Sequence, residues 1–240
     1  MQSRRIMKYA ITFSVLTAGM LALAWSLTSP GSRVVLLAGA VASAGLSLAY
    51  ALRSPRLLGK RADGSLAPLA WLVFWPYLLI NSASLWSFRR LSREEPISEI
   101  VPGLYLGGRP LRGDRGALEQ RAIAATLDLT AEFPEVRFAR AGSYLCIPLL
   151  DTFPPTRDQL LLATEWLGRR MAEAPVLVHC ALGHGRSAGV VAAHLLHSGR
   201  VGTLGQALAL ISERRPGIGL NGGQLRALED YAASLRAPGA

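Results

Sequence analysis

Val176-Leu-Val-His-Cys180-Ala-Leu-Gly183-His-Gly185-Arg186-Ser187 is the stretch that decides the fold. The apolar run from Pro175 to Val178 reads as a buried strand. A glycine-containing loop follows, and Ser187-Ala-Gly-Val-Val-Ala-Ala-His opens an apolar helix. Strand, loop and helix N-terminus in that order make an anion cradle, because the loop N–H groups and the helix dipole point at one place. Two side chains in the cradle carry chemistry. Cys180 is a potential thiolate, and Arg186 is a planar fork suited to two phosphate oxygens.

A thiol with a pKa of about 8.5 is mostly protonated at neutral pH. Loop N–H donors, a helix N-terminus and Arg186 would lower that value. Gly183 and Gly185 give the loop the freedom to turn its N–H groups inward. Ser187 suits the cap of the helix that follows. His184 lies inside the loop, where it meets either substrate or solvent.

The spacing His-Cys-x5-Arg-Ser, with glycine at the third x, resembles the signature of the cysteine-dependent dual-specificity phosphatases, here in a membrane-anchored bacterial-type form. The resemblance covers roughly residues 97–231. It implies a phosphate-binding loop of His179, Cys180, Ala181, Leu182, Gly183, His184, Gly185 and Arg186. It also implies that Cys180 attacks phosphorus, Arg186 clamps the equatorial oxygens and Ser187 assists the leaving thiolate. His179 would hold the loop and help set the thiolate pKa, although simple core packing explains a histidine there equally well. No metal or cofactor is called for, because Arg186 and the loop amides neutralise the phosphoryl oxygens. The opening Ile97-Ser-Glu-Ile-Val-Pro-Gly-Leu-Tyr-Leu-Gly-Gly108 and the later Arg214-Arg-Pro-Gly-Ile-Gly-Leu-Asn221-Gly-Gly-Gln224 are similar to segments of the same family. The later segment would lie beside the phosphate loop, with Asn221 as a helix N-cap.

The leaving oxygen needs a proton from elsewhere in the chain. Asp151 ends an apolar strand, and the stiff Thr152-Phe-Pro-Pro follows it. Strand C-termini of a parallel sheet converge on one edge, so Asp151 and Cys180 can meet there. The family's acid lies about thirty residues before its cysteine, and the interval here is 29. Asp128 also stands at a strand end and reads as a structural Asp-Leu-Thr turn.

The net charge of +10 invites a nucleic-acid reading, so its distribution matters. Residues 1–93 hold eleven Lys/Arg and the single acid Asp63; residues 94–240 hold fifteen of each sign. The whole excess flanks apolar segments, which is the pattern of cytoplasmic loops on a membrane protein. A basic nucleic-acid face is excluded on that ground. The two cysteines, Cys146 and Cys180, make neither a disulfide framework nor a zinc cluster by themselves. A cysteine nucleophile must stay reduced, which favours a reducing compartment. Cys146 reads as a core residue, and a disulfide with Cys180 is left open. His194 and His197 read as helix residues rather than a metal pair.

Residues 9–27 and 34–52 are uncharged nineteen-residue stretches, and each is about long enough to cross a ~30 Å hydrocarbon core. With the turn Ser29-Pro30-Gly31-Ser32 between them, residues 1–65 read as a transmembrane hairpin rather than a cleaved signal peptide. Arg4, Arg5 and Lys8 before it and Arg53, Arg56, Lys60 and Arg61 after it put both ends in the cytoplasm. Small residues such as Ala40 and Ala44 suit helix-on-helix packing. Residues 66–93 are apolar but hold Pro68, Pro76, Asn81 and several tryptophans. They read as an interfacial or re-entrant segment, with a third, kinked span as the alternative.

After Pro96 charges become mixed, and the domain boundary is placed at residue 94. Strands are expected at 97–108, 123–129, 144–150 and 175–180. Helices are expected at 114–122, 156–174, 187–197, 204–213 and 224–235. The predicted fold class is α/β, a mostly parallel central sheet flanked by helices, preceded by an α-helical membrane anchor. The loop Thr130-Ala-Glu132-Phe133-Pro-Glu135 follows a strand end, so Glu132 and Phe133 are expected to border the substrate. It resembles an acidic-aromatic loop of phosphatidylglycerophosphate phosphatases. The expected function is a membrane-tethered, cysteine-dependent phosphatase with its catalytic domain on the cytoplasmic side of the inner membrane. Its partners would be the bilayer and a phosphorylated protein or phospholipid. The alternative is a catalytically idle phosphate-binding or scaffolding module at the membrane.

Overall fold

The hydrophobic patterning sets apolar segments apart from a mixed-charge remainder, and the chain is described by a computed structural model. It describes residues 2–236, with side chains described from residue 7. The side chains of Arg4 and Arg5, counted above among the flanking charges, lie outside the described residues. Two compact units result. One comprises residues 1–61, 65–91 and 131–134, the other residues 62–64, 92–130 and 135–240.

The first unit is helical: α1 (Gln2–Ser26), α2 (Pro30–Ala51) and α3 (Pro68–Leu91). Pro30 starts α2 where a missing N–H is harmless. The helices α1 and α2 meet through small and aromatic residues. Ser47 donates to the Ala10 carbonyl at 2.9 Å and pairs with the Ser14 hydroxyl at 2.8 Å. Tyr9 and Tyr50 stack at 5.2 Å. Ala40 is buried in this contact as expected, but Ala44 faces outward, four residues on yet off the packed stripe. Gly39 lies against Met20 and Gly45 against Phe74, so the small residues that admit a neighbour are glycines as well as alanines. Helix α3 runs unbroken through Pro76. Among the described residues, three helices are long and apolar enough to cross a membrane by length and composition.

The second unit is α/β. Its elements are β1 (Ile97–Val101), β2 (Leu104–Gly108), α4 (Arg115–Gln120), β3 (Ala125–Thr130), β4 (Ser143–Leu149), α5 (Arg157–Met171), β5 (Val176–Cys180), α6 (Arg186–His197), α7 (Leu204–Arg214) and α8 (Gly222–Arg236). The sheet order is β1-β2-β5-β3-β4. Only the β1–β2 pair is antiparallel, joined by a turn with Gly103 at φ +78°. Strand β5 is therefore central, and Val176, Leu177 and Val178 are wholly buried on it. A strand buried on both faces reads as a continuous apolar run, as this one does.

The helices start where short polar side chains cap them. Thr156 accepts from the Gln159 N–H and Gln159 returns the bond, a capping box before α5. Thr203 and Gln206 do the same for α7. Helices α5, α6, α7 and α8 cover the sheet with Leu160, Trp166, Val191, Ile211 and Leu228 in the core. The expected helix at 114–122 is a 3-10 turn, Arg112–Asp114, followed by the short α4.

Candidate active site

Parallel strands β3, β4 and β5 deliver their C-terminal ends to one edge of the sheet. Cys180 is the last residue of β5, and α6 begins six residues later with Arg186. Between them the loop carbonyls are all turned away and held. Ala181 O accepts the Arg109 N–H at 3.0 Å, and His184 O accepts the Gly219 N–H at 3.1 Å. Arg215, only 2 % exposed, donates to Gly183 O and Leu182 O, each at 2.9 Å. Nη1 of the same guanidinium reaches Glu95 O at 2.8 Å.

With the carbonyls anchored outside, N–H groups face inward. Gly183 N–H lies 3.3 Å from Cys180 Sγ, and the Ser187 hydroxyl donates to the same sulfur at 3.2 Å. Gly183 adopts φ +82°, and any Cβ there would collide with the Gly107 backbone. That position requires glycine for both reasons. Burial alone would raise the Cys180 pKa. The Arg186 charge, the Ser187 hydroxyl and the N–H groups of Ser187 and Gly183 outweigh it, and the thiol lies below its usual value. The net result is a poised thiolate at the head of a twelve-residue helix.

Arg186 is buried and oriented from the β4 side: Nη1 donates to the Leu149 carbonyl at 2.9 Å. Asp151, just past the end of β4, places Oδ1 3.4 Å from Arg186 Nη2, with its side chain 62 % exposed. Thr152 follows at φ +66°, an uncommon conformation for a β-branched residue. Asn221 Nδ2 donates to the Thr152 carbonyl at 2.8 Å and holds that turn. Asn221 Oδ1 also accepts the N–H groups of Gly223 and Gln224, so it caps α8 as expected and has a second task that was not expected.

The structure thus brings Cys180, Arg186, Ser187 and Asp151 together with the loop residues His179, Ala181, Leu182, Gly183, His184 and Gly185. His184 does not reach into the cradle as a free cation; its Nε2 lies 2.6 Å from Glu94 Oε2. Glu132 and Phe133 fold with the helical unit and are buried there. Glu132 accepts the Ala131 N–H at 2.9 Å, and Lys60 donates to the Phe133 carbonyl. Two residues that sequence reasoning passed over are part of the support: Arg215, which holds two loop carbonyls, and Glu94, which holds His184. Arg215 had a signal in its Arg-Pro context. Glu94 had none, because its partner His184 is distant in sequence.

The family model for the dual specificity phosphatase catalytic domain matches residues 104–234. The dual specificity protein phosphatase Mpk3 of Drosophila melanogaster is 33% identical over 151 residues, which are 60% of this chain and 35% of that protein. Human dual specificity protein phosphatase 14 is 30% identical over 147 residues, 58% of this chain and 70% of that one. The chain therefore spans about a third of the length of the first relative and about two thirds of the second.

Among solved structures, the human tyrosine phosphatase-like serine/threonine/tyrosine-interacting protein is 26% identical, with a TM-score of 0.53, covering 59% of this chain and 97% of that one. PTPMT1 in complex with PI(5)P shares the fold at 22% identity and a TM-score of 0.54, covering 61% of this chain and 100% of that one. None of these supports the bacterial-type expectation. The family model spans more than half of the chain, and the chain belongs to the dual-specificity phosphatase family.

Proposed function

We propose that the protein is a membrane-tethered phosphatase that hydrolyses phosphomonoesters through a phosphocysteine. The observation that carries this reading is Cys180 Sγ, held by Gly183 N–H and the Ser187 hydroxyl at the head of α6. In the first step Cys180 Sγ attacks phosphorus and the P–O ester bond breaks. Asp151 gives its proton to the departing oxygen. Arg186 and the loop N–H groups neutralise the equatorial oxygens throughout. In the second step water attacks phosphorus, Asp151 takes the water's proton and the S–P bond breaks. Ser187, already bonded to Sγ, stabilises the leaving thiolate.

Phosphotyrosine or phosphoserine on a protein is the favoured substrate, since the relatives above 30% identity bear the name of protein phosphatases. A lipid phosphate is the second reading, supported by the apolar helices. Ala181 and Leu182 bring no charge to the loop, and His184 is occupied by Glu94, so a headgroup with extra negative charge gains little there. Glu132 and Phe133 remain proposed as substrate-bordering residues. A panel of phosphopeptides, phosphoinositides and phosphatidylglycerophosphate ranks the two classes.

The test of the activity uses the full chain in detergent. Wild type is expected to hydrolyse an aryl phosphate, and Cys180→Ser to lose turnover to background. Equal turnover in Cys180→Ser would overturn the mechanism, and no turnover in wild type would favour an idle phosphate-binding module.

For the anchor we propose a hairpin within residues 1–65, spanning at about 9–27 and 34–52. Residues 66–93 lie at the interface, and the catalytic domain, 94–240, faces the cytoplasm. Basic residues at both ends of the hairpin support this orientation. A C-terminal reporter active only in the cytoplasm is expected. Activity only outside would make α3 a third span.

A further inference from the structure

Between Cys180 and Arg186 the loop reads Ala-Leu-Gly-His-Gly. Its outer turn is the softest part, because His184 stands between Gly183 and Gly185, which have no side chains to pack. Over those three residues, the imidazole of His184 is the handle by which the rest of the molecule can grip the loop. The structure uses it. His184 Nε2 hydrogen-bonds Glu94 Oε2 at 2.6 Å, across 90 residues of sequence.

Glu94 is in turn held in place. It lies just past the end of α3 at Leu91, in the segment that leads to β1. Its N–H donates to Ser92 Oγ at 3.1 Å. Its second oxygen, Oε1, is buried and lies 3.5 Å from Arg215 Nη2. The same guanidinium donates to the Glu95 carbonyl at 2.8 Å and to Ser98 Oγ at 3.2 Å. The segment that carries Glu94 is therefore fixed to the arginine that also holds Gly183 O and Leu182 O. The turn after α7 closes over the pair and leaves no room for a side chain at Gly217. A Cβ there would collide with Glu94 Oε1 and crowd His184 Nε2.

The consequence falls on the loop N–H groups. Arg215 holds Gly183 O, the Gly219 N–H holds His184 O, and Glu94 holds the side chain between them. The peptide units on both sides of His184 are thus fixed. Releasing the imidazole would free the backbone of His184 between two glycines. N–H groups that swing out of the cradle no longer meet an oxyanion.

We propose that Glu94 is a positioning residue of the phosphate loop: by gripping His184 it fixes the outer turn of the loop, and with it the affinity of the cradle for a phosphoryl group. This rests on the proposed function, in which the loop binds the phosphate. Glu94 acts through His184 and not on the phosphoryl group directly. Charge alone makes the opposite prediction, since removing a carboxylate beside an anion site strengthens anion binding. The sign of the effect therefore separates the two.

The test is Glu94→Ala in the full chain, in detergent, with tungstate as the phosphate probe. The readout is the tungstate concentration that half-protects Cys180 from iodoacetamide, followed on the Cys180 peptide by mass spectrometry. A smaller folded fraction lowers the amplitude of protection but does not move this midpoint. In Glu94→Ala the midpoint is expected to rise on the order of fivefold, the effect of one hydrogen bond, and the KM for an aryl phosphate to rise with it. A midpoint that is unchanged or falls overturns the proposal, even if thermal stability drops. His184→Ala is expected to give the same rise, with Glu94→Ala adding less than about twofold in that background, because the two side chains act as one unit. An equal loss in both backgrounds overturns the action through His184. If Glu94→Ala does not fold, His184→Ala decides alone: a rise supports the proposal and no rise overturns it. Protection does not require turnover. A raised midpoint in a protein that hydrolyses nothing supports this role for Glu94 while overturning the proposed activity.

Discussion

Asp151 differs from the other members of the site in being exposed. Cys180, Arg186 and Ser187 are buried, whereas the Asp151 carboxyl is open to solvent and touches Arg186 at 3.4 Å. The acid role proposed for Asp151 suits such a place, since the carboxyl must reach the leaving oxygen of a bound substrate. Its role is visible in the leaving group. Asp151→Asn is expected to slow an alkyl phosphate by roughly 10²-fold or more, within the range for general acids, while a dinitrophenyl phosphate loses far less. A Brønsted plot of kcat against leaving-group pKa measures this. Equal loss across the series would remove Asp151 from the acid role. The neighbouring strain at Thr152 and the Asn221 bond to its carbonyl explain how an exposed carboxyl is kept in register.

At the scale of elements, local chemistry made much of this molecule legible. The β5–loop–α6 unit could be read because a buried strand, two glycines and an apolar helix are all local patterns. The same holds for Thr156, whose capping box with Gln159 sits within four residues. Legibility fails where contacts are long-range. Glu135 meets His179 only because β3 and β5 are sheet neighbours, and that order is not written locally. Arg214 and Arg215 are adjacent at the end of α7, yet one is exposed and the other buried beneath the loop. Only the path of the chain leaving the helix chooses between them. Ala40 and Ala44 show a similar limit, since small size says nothing of helix phase. In α3 the proline is read as the kink of an alternative third span, and a helix tolerates one missing bond when its neighbours pack. The long apolar run on either side of Pro76 keeps α3 whole.

For the whole molecule, charge separates two environments. Every excess positive charge belongs to residues 1–93, while residues 94–240 are neutral overall. The two compact units divide near residue 92, apart from residues 62–64 and 131–134, which group with the opposite unit. Such exchanges of short segments are beyond composition, because a few residues carry no compositional signal. The neutral unit holds the phosphate cradle, so attraction for substrate comes from Arg186, the loop N–H groups and α6 rather than from a broad basic field. That concentrates the account on one sulfur atom. The direct test is to quench the full chain during turnover of a 32P-labelled aryl phosphate and map the label by peptide mass. The account predicts a phosphoryl group on Cys180, accumulating further in Asp151→Asn. Turnover with no label on Cys180, or with the label on another residue, would contradict it.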